Sequence, residues 1–172
     1  MPKTDYPRLY KKMSAHPRLL AVLNGAQLPL TALVAVAYLY YVVLTVIFSD
    51  IPGIITALVV SGVPFVVVSL IRSRMGGKRP YEVYELSSLG IRLPGHGGGR
   101  SFPSRHAFSA AMIGVLLLPD MLYIGIATLA LWLLISVSRV LLGIHFIRDT
   151  VAGAVIGVAS GILGMYLTHL VF

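Results

Sequence analysis

The sequence contains no cysteine and only 6 acidic residues in a chain of 172 residues. Without cysteine the chain can form no disulfide, use no thiol nucleophile and bind no metal through thiolate sulfur. The few carboxylates form no cluster of the kind that holds divalent cations in enzymes. We therefore expect neither a metal nor another cofactor.

Charged residues are scarce as well, at 12% of the chain, whereas 57% of the residues are hydrophobic and the mean hydropathy is +0.87. A soluble domain of this size could not bury so much apolar surface, so the sequence indicates an integral membrane protein. At about 20 residues for each spanning helix, the chain has room for five or six spans and little else. We expect a single all-α domain over residues 1–172, a polytopic bundle of transmembrane helices. We expect no cleavable signal peptide, since the N-terminal region is polar and mixed.

Long apolar runs between polar turns predict about five spanning helices. They cover Thr31–Phe48, Ile51–Ile71, Ser104–Leu118, Met121–Gly143 and Thr150–Phe172. The third run is short for a full span, so we expect its start to lie below the membrane surface. Glycines in the last run, mostly four residues apart, predict close helix packing.

Three polar segments complete the chain. Residues 1–18 are polar and basic, and they form either a short amphipathic helix at the membrane surface or a disordered tail. Residues 19–30 are apolar but hold Asn24 and Gln27, and they are either a re-entrant piece or an early extension of the next helix. Residues 72–103 form one long loop, rich in arginine and glycine, for which length and composition favour a function.

The predicted helices alternate in direction, which brings four polar points to one face of the membrane. These points are the end of the second span, the start of the third, the end of the fourth and the start of the fifth. The opposite face offers little more than Asp50, Asp120 and His169. The net charge of +8 indicates anionic lipid headgroups or phosphate groups as partners, ahead of nucleic acid.

Residues 138–149 form the most informative of these points, because they hold charged residues between two apolar runs. His145 and Asp149 are one helical turn apart and can touch. A carboxylate on one ring nitrogen fixes the tautomer and makes the other nitrogen a better base or nucleophile. Arg139 is permanently charged and can hold an anion beside that histidine. Taken alone, this segment could also be a cluster of arginines that reach to the membrane surface.

The other polar points supply further groups that bind anions. Arg72 and Arg79 are permanent cations, and Ser104 opens a helix whose first amides can bind a phosphate. His106 lies in the first turn of that helix. Two histidines and several arginines with few carboxylates describe a phosphate site. In the chemistry that follows, His145 attacks phosphorus with Asp149 behind it, His106 donates a proton to the leaving group, and the arginines neutralise the equatorial oxygens.

Three segments resemble the motifs of the type 2 phosphatidic acid phosphatase superfamily, which are Lys-x6-Arg-Pro, Pro-Ser-Gly-His and Ser-Arg-x5-His-x3-Asp. The matching segments are Arg72–Pro80, Pro103–His106 and Ser138–Asp149. The resemblance covers roughly residues 51–172 and implies a helical membrane phosphatase that acts without metal through a phosphohistidine. It implies that His145 is the nucleophile, Asp149 its partner and His106 the general acid. It also implies phosphate ligands at Arg72, Arg79, Ser104 and Arg139.

Three features depart from the family pattern. Arg72 stands where lysine is usual, so that a planar fork replaces a point donor. Arg105 stands where glycine is usual; its backbone amide can still bind phosphate, and its side chain can add a contact to a second phosphate or to the headgroup. The family commonly has six spans, against the five predicted here with a fragment before them.

These features predict a metal-independent lipid phosphatase of a bacterial cytoplasmic membrane, with residues 72–103 as its active-site loop. Undecaprenyl pyrophosphate, phosphatidylglycerophosphate and phosphatidic acid all fit as substrates, and the sequence does not choose among them or give the oligomeric state. The alternative is an anion-binding or transport protein without hydrolysis, which would leave the paired His145 and Asp149 unexplained. Vanadate-binding haloperoxidases share the motifs, but they are soluble and much larger.

The direction in which the site faces depends on residues 19–30. With five spans, all 14 lysines and arginines lie on the site face, and the positive-inside rule places that face in the cytoplasm. If residues 19–30 cross the membrane separately, the N-terminus moves to the other face and an outward-facing site follows. Since the family more often faces outward, we expect an outward-facing site.

Overall fold

The computed structural model describes residues 5–89 and 99–172. Its helices are α1 (Tyr6–Ser14), α2 (Pro17–Ile47), α3 (Ile51–Ile55), α4 (Ser61–Met75), α5 (Pro80–Val83), α6 (Arg105–Leu117), α7 (Leu122–Leu141) and α8 (Ile147–Val171). A π-helical turn, Thr56–Val60, joins α3 to α4, and a 3₁₀ turn, Leu86–Leu89, follows α5. The described residues contain no strand, which confirms the all-α prediction.

Among the described residues, four segments are long and apolar enough to cross a membrane. They are α2, the segment that begins with α3 and contains α4, then α7, and finally α8. Helix α6 is apolar but has only 13 residues. At 1.5 Å per residue it is about 20 Å long, which is less than the roughly 30 Å thickness of the bilayer core. The bundle therefore has the five membrane helices that the sequence predicts, and one of them is too short to reach both surfaces.

The first membrane helix is longer than predicted. Residues 19–30 are the first part of α2, which runs without a break through Pro29. The extension alternative is therefore the correct one, and the re-entrant alternative is wrong. Gln27 Nε2 donates to Ser138 Oγ at 2.7 Å, which fixes the start of α2 beside the end of α7. The N-terminus of α2 thus lies at the same end of the bundle as residues 138–149.

Helix α6 lies at the centre of the bundle, in contact with α2, α4, α7 and α8. Nine of its 13 residues are buried, and Phe108 and Met112 join Val68 of α4 in a core cluster. Helix α8 approaches α6 closely through glycines, as predicted. A Cβ atom at Gly157 would lie 2.4 Å from the carbonyl oxygen of Phe108, so no side chain fits there. This approach holds the starts of α6 and α8 side by side.

Helix α1 packs on the bundle. Of the two alternatives for residues 1–18, a short helix or a disordered tail, the helix is therefore the correct one, and it covers residues 6–14. Tyr10 is fully buried beside Leu86, and its hydroxyl donates to the carbonyl of Val140 at 3.4 Å. The Tyr6 hydroxyl accepts from the Ile147 amide at 3.2 Å. The helix therefore packs over the end of α7 and the start of α8. Residues 1–4 lie outside the described residues.

The segment 72–103 is more ordered than a single loop. Helix α4 continues to Met75, and Gly76, with φ of 61°, ends it in a conformation that favours glycine. Helix α5 and the 3₁₀ turn follow before the undescribed residues 90–98, which include Arg92. The chain then returns through residues 99–104 to the start of α6.

Candidate active site

The turn between α7 and α8 carries His145. Helix α7 ends at Leu141, and Gly143, with φ of 73°, reverses the chain in a conformation that few other residues adopt. The Ile144 amide then donates to the Arg139 carbonyl at 2.9 Å. As a result the His145 ring points into the bundle and is only 2% exposed.

Asp149 faces one side of the His145 ring. The distance from His145 Nδ1 to Asp149 Oδ2 is 3.8 Å, which suits an ion pair but is too long for a hydrogen bond. The other ring nitrogen, Nε2, is therefore the one left for chemistry. Burial lowers the pKa of His145 below its usual range, although Asp149 partly opposes this effect. The free imidazole is thus neutral near pH 7 and keeps a lone pair for attack.

Asp149 is itself held firmly. It is fully buried in the first turn of α8, where its Oδ2 accepts the Phe146 amide at 3.0 Å. The hydroxyl of Ser101 donates to the same oxygen. Arg148 Nε lies 3.5 Å from the other carboxylate oxygen. These contacts orient the carboxylate toward His145.

Ser101 is a residue that sequence reasoning missed. It is 2% exposed, and its amide donates to the Gly77 carbonyl at 3.1 Å. It lies three residues before Ser104, outside the family motifs quoted above, and only the folding of residues 99–104 against α8 shows its contact with Asp149. The nearest sequence signal is its position beside a motif.

Two arginines from different helices, Arg72 and Arg139, lie within electrostatic range of the histidine, and Arg79 lies beside these arginines. Arg72 and Arg139 are each 7% exposed. Arg72 Nη1 donates to the Pro103 carbonyl at 2.8 Å, whereas the buried Nε of Arg139 has no hydrogen-bond partner. Both lie within electrostatic range of Arg79. Since buried polar groups are normally paired, the free donor of Arg139 suits an anionic ligand.

Arg79 is positioned by Glu82 and Gly99. Glu82 Oε2 accepts the Arg79 amide at 2.6 Å, and Glu82 Oε1 accepts the Gly99 amide at 3.0 Å. Arg79 Nε in turn donates to the Gly99 carbonyl at 3.3 Å. Glu82 therefore joins Gly99, near the end of the long polar segment, to the backbone of Arg79, and it does not pair with the Arg79 guanidinium. Sequence reasoning assigned Glu82 no such role.

The start of α6 completes the site. Ser104 is the N-cap residue of α6, and its Oγ accepts the Ala107 amide at 3.4 Å. Its own amide donates to the Asp149 carbonyl at 3.0 Å, which links the second and third motif segments directly. His106 lies within electrostatic range of His145 and Arg139. Arg105, which lies between Ser104 and His106 in the chain, is exposed.

The structure thus brings the predicted residues to one end of the bundle. They are His106, His145, Asp149, Arg72, Arg79, Ser104, Arg105 and Arg139. Two cavities lie beside them, and Arg105 lines both. One, of about 310 Å³, is lined by arginines and serines; the other, of about 320 Å³, is mostly apolar and runs between α2, α4, α6 and α7 to His106. Among the described residues no group of three or more His, Cys, Asp or Glu could hold a metal ion.

Comparisons with known proteins agree with this arrangement. The PAP2 superfamily matches residues 34–171 of the chain. LpxE of Aquifex aeolicus has a similar structure, with a TM-score of 0.61 and 23% identity over 87% of this chain and 93% of that one. A PAP2-type phosphatidylglycerolphosphate phosphatase from Bacillus subtilis has a TM-score of 0.57 and 19% identity over 99% of this chain and 90% of that one. A search of curated protein sequences gives no significant match.

Proposed function

Since this chain belongs to the PAP2 superfamily, we propose that it is a metal-independent membrane phosphatase that acts through a phosphohistidine. Its substrate is a lipid phosphate or diphosphate, from which it removes the terminal phosphate. The observation that carries the proposal is the buried His145, which has Asp149 beside one ring nitrogen and Arg72 and Arg139 within electrostatic range. The similar protein from Bacillus subtilis is named as a phosphatidylglycerolphosphate phosphatase, which supports the coarser assignment to a lipid phosphatase.

The proposed reaction has two steps. His145 Nε2 attacks the terminal phosphorus, and the bond from phosphorus to the leaving oxygen breaks. His106, which takes up a proton when the negative charge of the bound phosphate offsets the nearby arginines, gives that oxygen its proton. Water then attacks the phosphohistidine, neutral His106 accepts the proton of that water, and inorganic phosphate leaves. Arg72, Arg79 and Arg139 neutralise the equatorial oxygens in both steps.

The apolar cavity supports a lipid rather than a soluble substrate. It is lined by side chains such as Val34, Phe65 and Ile135, and it ends at His106. An acyl or prenyl tail in this cavity would place its phosphate at the arginines without leaving the bilayer.

The test is phosphate release from a panel of lipid phosphates and diphosphates in detergent, with and without a chelator. We expect release that survives chelation, because the proposed site uses arginines instead of a metal ion. Activity that the chelator abolished would contradict the mechanism. A folded protein that released phosphate from no lipid would contradict the phosphatase itself and favour anion binding or transport.

We propose that the protein lies in a bacterial cytoplasmic membrane with its site toward the cytoplasm. The sequence-based expectation of an outward-facing site rested on the family, and a separate crossing by residues 19–30, which would have supported it, is absent because these residues belong to α2. Of the 14 lysines and arginines, Lys3 and Arg92 lie outside the described residues, and the other twelve lie at the site end of the bundle. Acidic Asp50 and Asp120 lie at the opposite end. The positive-inside rule favours the cytoplasm for the basic end.

Single cysteines test this orientation, because the chain has no cysteine of its own. Ala15→Cys places a thiol at the site end between α1 and α2, and Phe172→Cys places one at the opposite end; both positions are exposed. In intact cells a membrane-impermeant maleimide should label Phe172→Cys, and it should label Ala15→Cys only after lysis. The reverse pattern would establish an outward-facing site.

A further inference from the structure

The polar cavity at the site holds more positive charge than one phosphate requires. Its lining includes four arginines, and among the described residues that line it there is no carboxylate. They are Arg72, Arg79, Arg100 and Arg105. Arg72 lies within electrostatic range of the other three. Buried Arg139 adds a fifth cation on the side of His145. A monoester phosphate carries about two negative charges, so a single one leaves much of this charge uncompensated.

The four arginines of the polar cavity differ in how they are held. Arg72 is buried against Pro103, and Arg79 is held by Gly99. Arg100 and Arg105 are exposed, and no carboxylate among the described residues is paired with either of them. Arg105 follows Ser104, the N-cap residue of α6, and directly precedes His106. Since His106 protonates the leaving oxygen in the proposed reaction, Arg105 stands on the side of the leaving group.

Arg105 also joins the two cavities. It lines the polar cavity together with Arg72 and Arg100, and it lines the apolar cavity together with His106. A lipid that fills both cavities must therefore pass Arg105 between its tail and its terminal phosphate. The group at that point of a lipid diphosphate is the phosphate attached to the lipid. In a lipid monophosphate the same point is taken by an uncharged oxygen and carbon.

We propose that Arg105, assisted by Arg100, binds the phosphate that stays on the lipid, and that the protein therefore prefers lipid diphosphates to lipid monophosphates. The inference rests on the phosphatase function proposed above. His145 attacks the terminal phosphorus, and the bond from that phosphorus to the bridging oxygen breaks. The bridging oxygen takes the electron pair and the proton of His106, and the product is a lipid monophosphate. Arg105 stabilises the charge that grows on this leaving phosphate.

The probes are farnesyl diphosphate and farnesyl monophosphate, which share one tail and differ by one phosphate. The quantity measured is the ratio of kcat/KM for the diphosphate to kcat/KM for the monophosphate. We expect the wild type to favour the diphosphate and Arg105→Gly to lower the ratio on the order of 10-fold to 100-fold, the loss expected for a hydrogen-bonded pair of charged groups. Arg105→Gln, which keeps a polar side chain, should give a smaller decrease and serves if the glycine variant does not fold.

Arg74→Gln is the matched control. Arg74 is an exposed arginine in the last turn of α4, two residues from Arg72, and it does not line either cavity. Its loss removes one positive charge from the same end of the bundle, so an effect of general surface charge would appear in both variants. We expect the ratio to change by less than about twofold in this control.

The outcomes separate this inference from the phosphatase proposal. A ratio that Arg105→Gly leaves unchanged, or one that Arg74→Gln lowers equally, would overturn the second phosphate site. A wild type that favours the monophosphate would overturn it as well. The absence of phosphate release from both probes, with the protein folded, would instead overturn the phosphatase function. Inhibition gives an independent readout, since inorganic diphosphate should inhibit the wild type more strongly than phosphate does, and this difference should shrink in Arg105→Gly.

Discussion

Replacement of His145 by alanine should lower phosphate release by about 10⁴-fold or more, the scale on which enzymes lose activity when a nucleophile is removed. The ring is 2% exposed and has Asp149 on one nitrogen, so no neighbouring group can take its place. The attack on phosphorus would then fall to water, without the covalent intermediate. The measurement is phosphate release from the best lipid substrate, with purified protein in detergent.

The control for this prediction is His169→Ala, which removes the same ring from the opposite end of the bundle. It should retain activity close to that of the wild type. Because a buried ring leaves a cavity, His145→Gln provides a second variant of more similar size, and its melting temperature should stay close to that of the wild type. A His145 variant that kept a tenth of the activity would exclude His145 as the nucleophile. Labelling with ³²P should give acid-labile phosphate on the wild type and none on His145→Gln.

Asp149→Asn should lower kcat by about 10²-fold to 10⁴-fold, because the neutral amide removes the negative charge that stabilises and orients the imidazole of His145. An asparagine oxygen can still accept the Phe146 amide at the start of α8. The fold should therefore survive while the orientation and charge behind His145 are lost. Single-turnover kinetics with a labelled lipid phosphate measure the effect on phosphoryl transfer to the enzyme.

Ser101→Ala is the graded comparison for Asp149→Asn. It removes one hydrogen bond to the carboxylate but leaves the carboxylate and its charge in place. We expect a decrease on the order of 10-fold, the usual cost of one hydrogen bond to a charged group. If Asp149→Asn cost no more than Ser101→Ala, the carboxylate would act only as a cap for α8, and its role behind His145 would have to be abandoned.

Composition alone was sufficient for the fold class, and motif spacing identified the candidate residues other than Ser101 and Glu82. A chain with 57% hydrophobic residues and five apolar runs has no soluble alternative, since water cannot accommodate so much exposed apolar surface. Two helix starts were also readable, because Asp50 and Ser104 are N-cap residues. The alternation of helix direction predicted that residues such as Arg72 and His145 share one end of the bundle, and the structure places them there.

Only the tertiary structure decided how these residues are held and what lies beside them. The continuity of α2 through residues 19–30 was ambiguous in sequence, because polar side chains such as Gln27 are tolerated in a membrane helix only where a partner exists, and that partner is Ser138. The contact of Ser101 with Asp149 joins positions 48 residues apart, and no local pattern encodes it. The same holds for the position of Arg105 between an apolar and a polar cavity. Such features arise from the packing of separate helices, whereas sequence periodicity reports only which face of one helix is apolar.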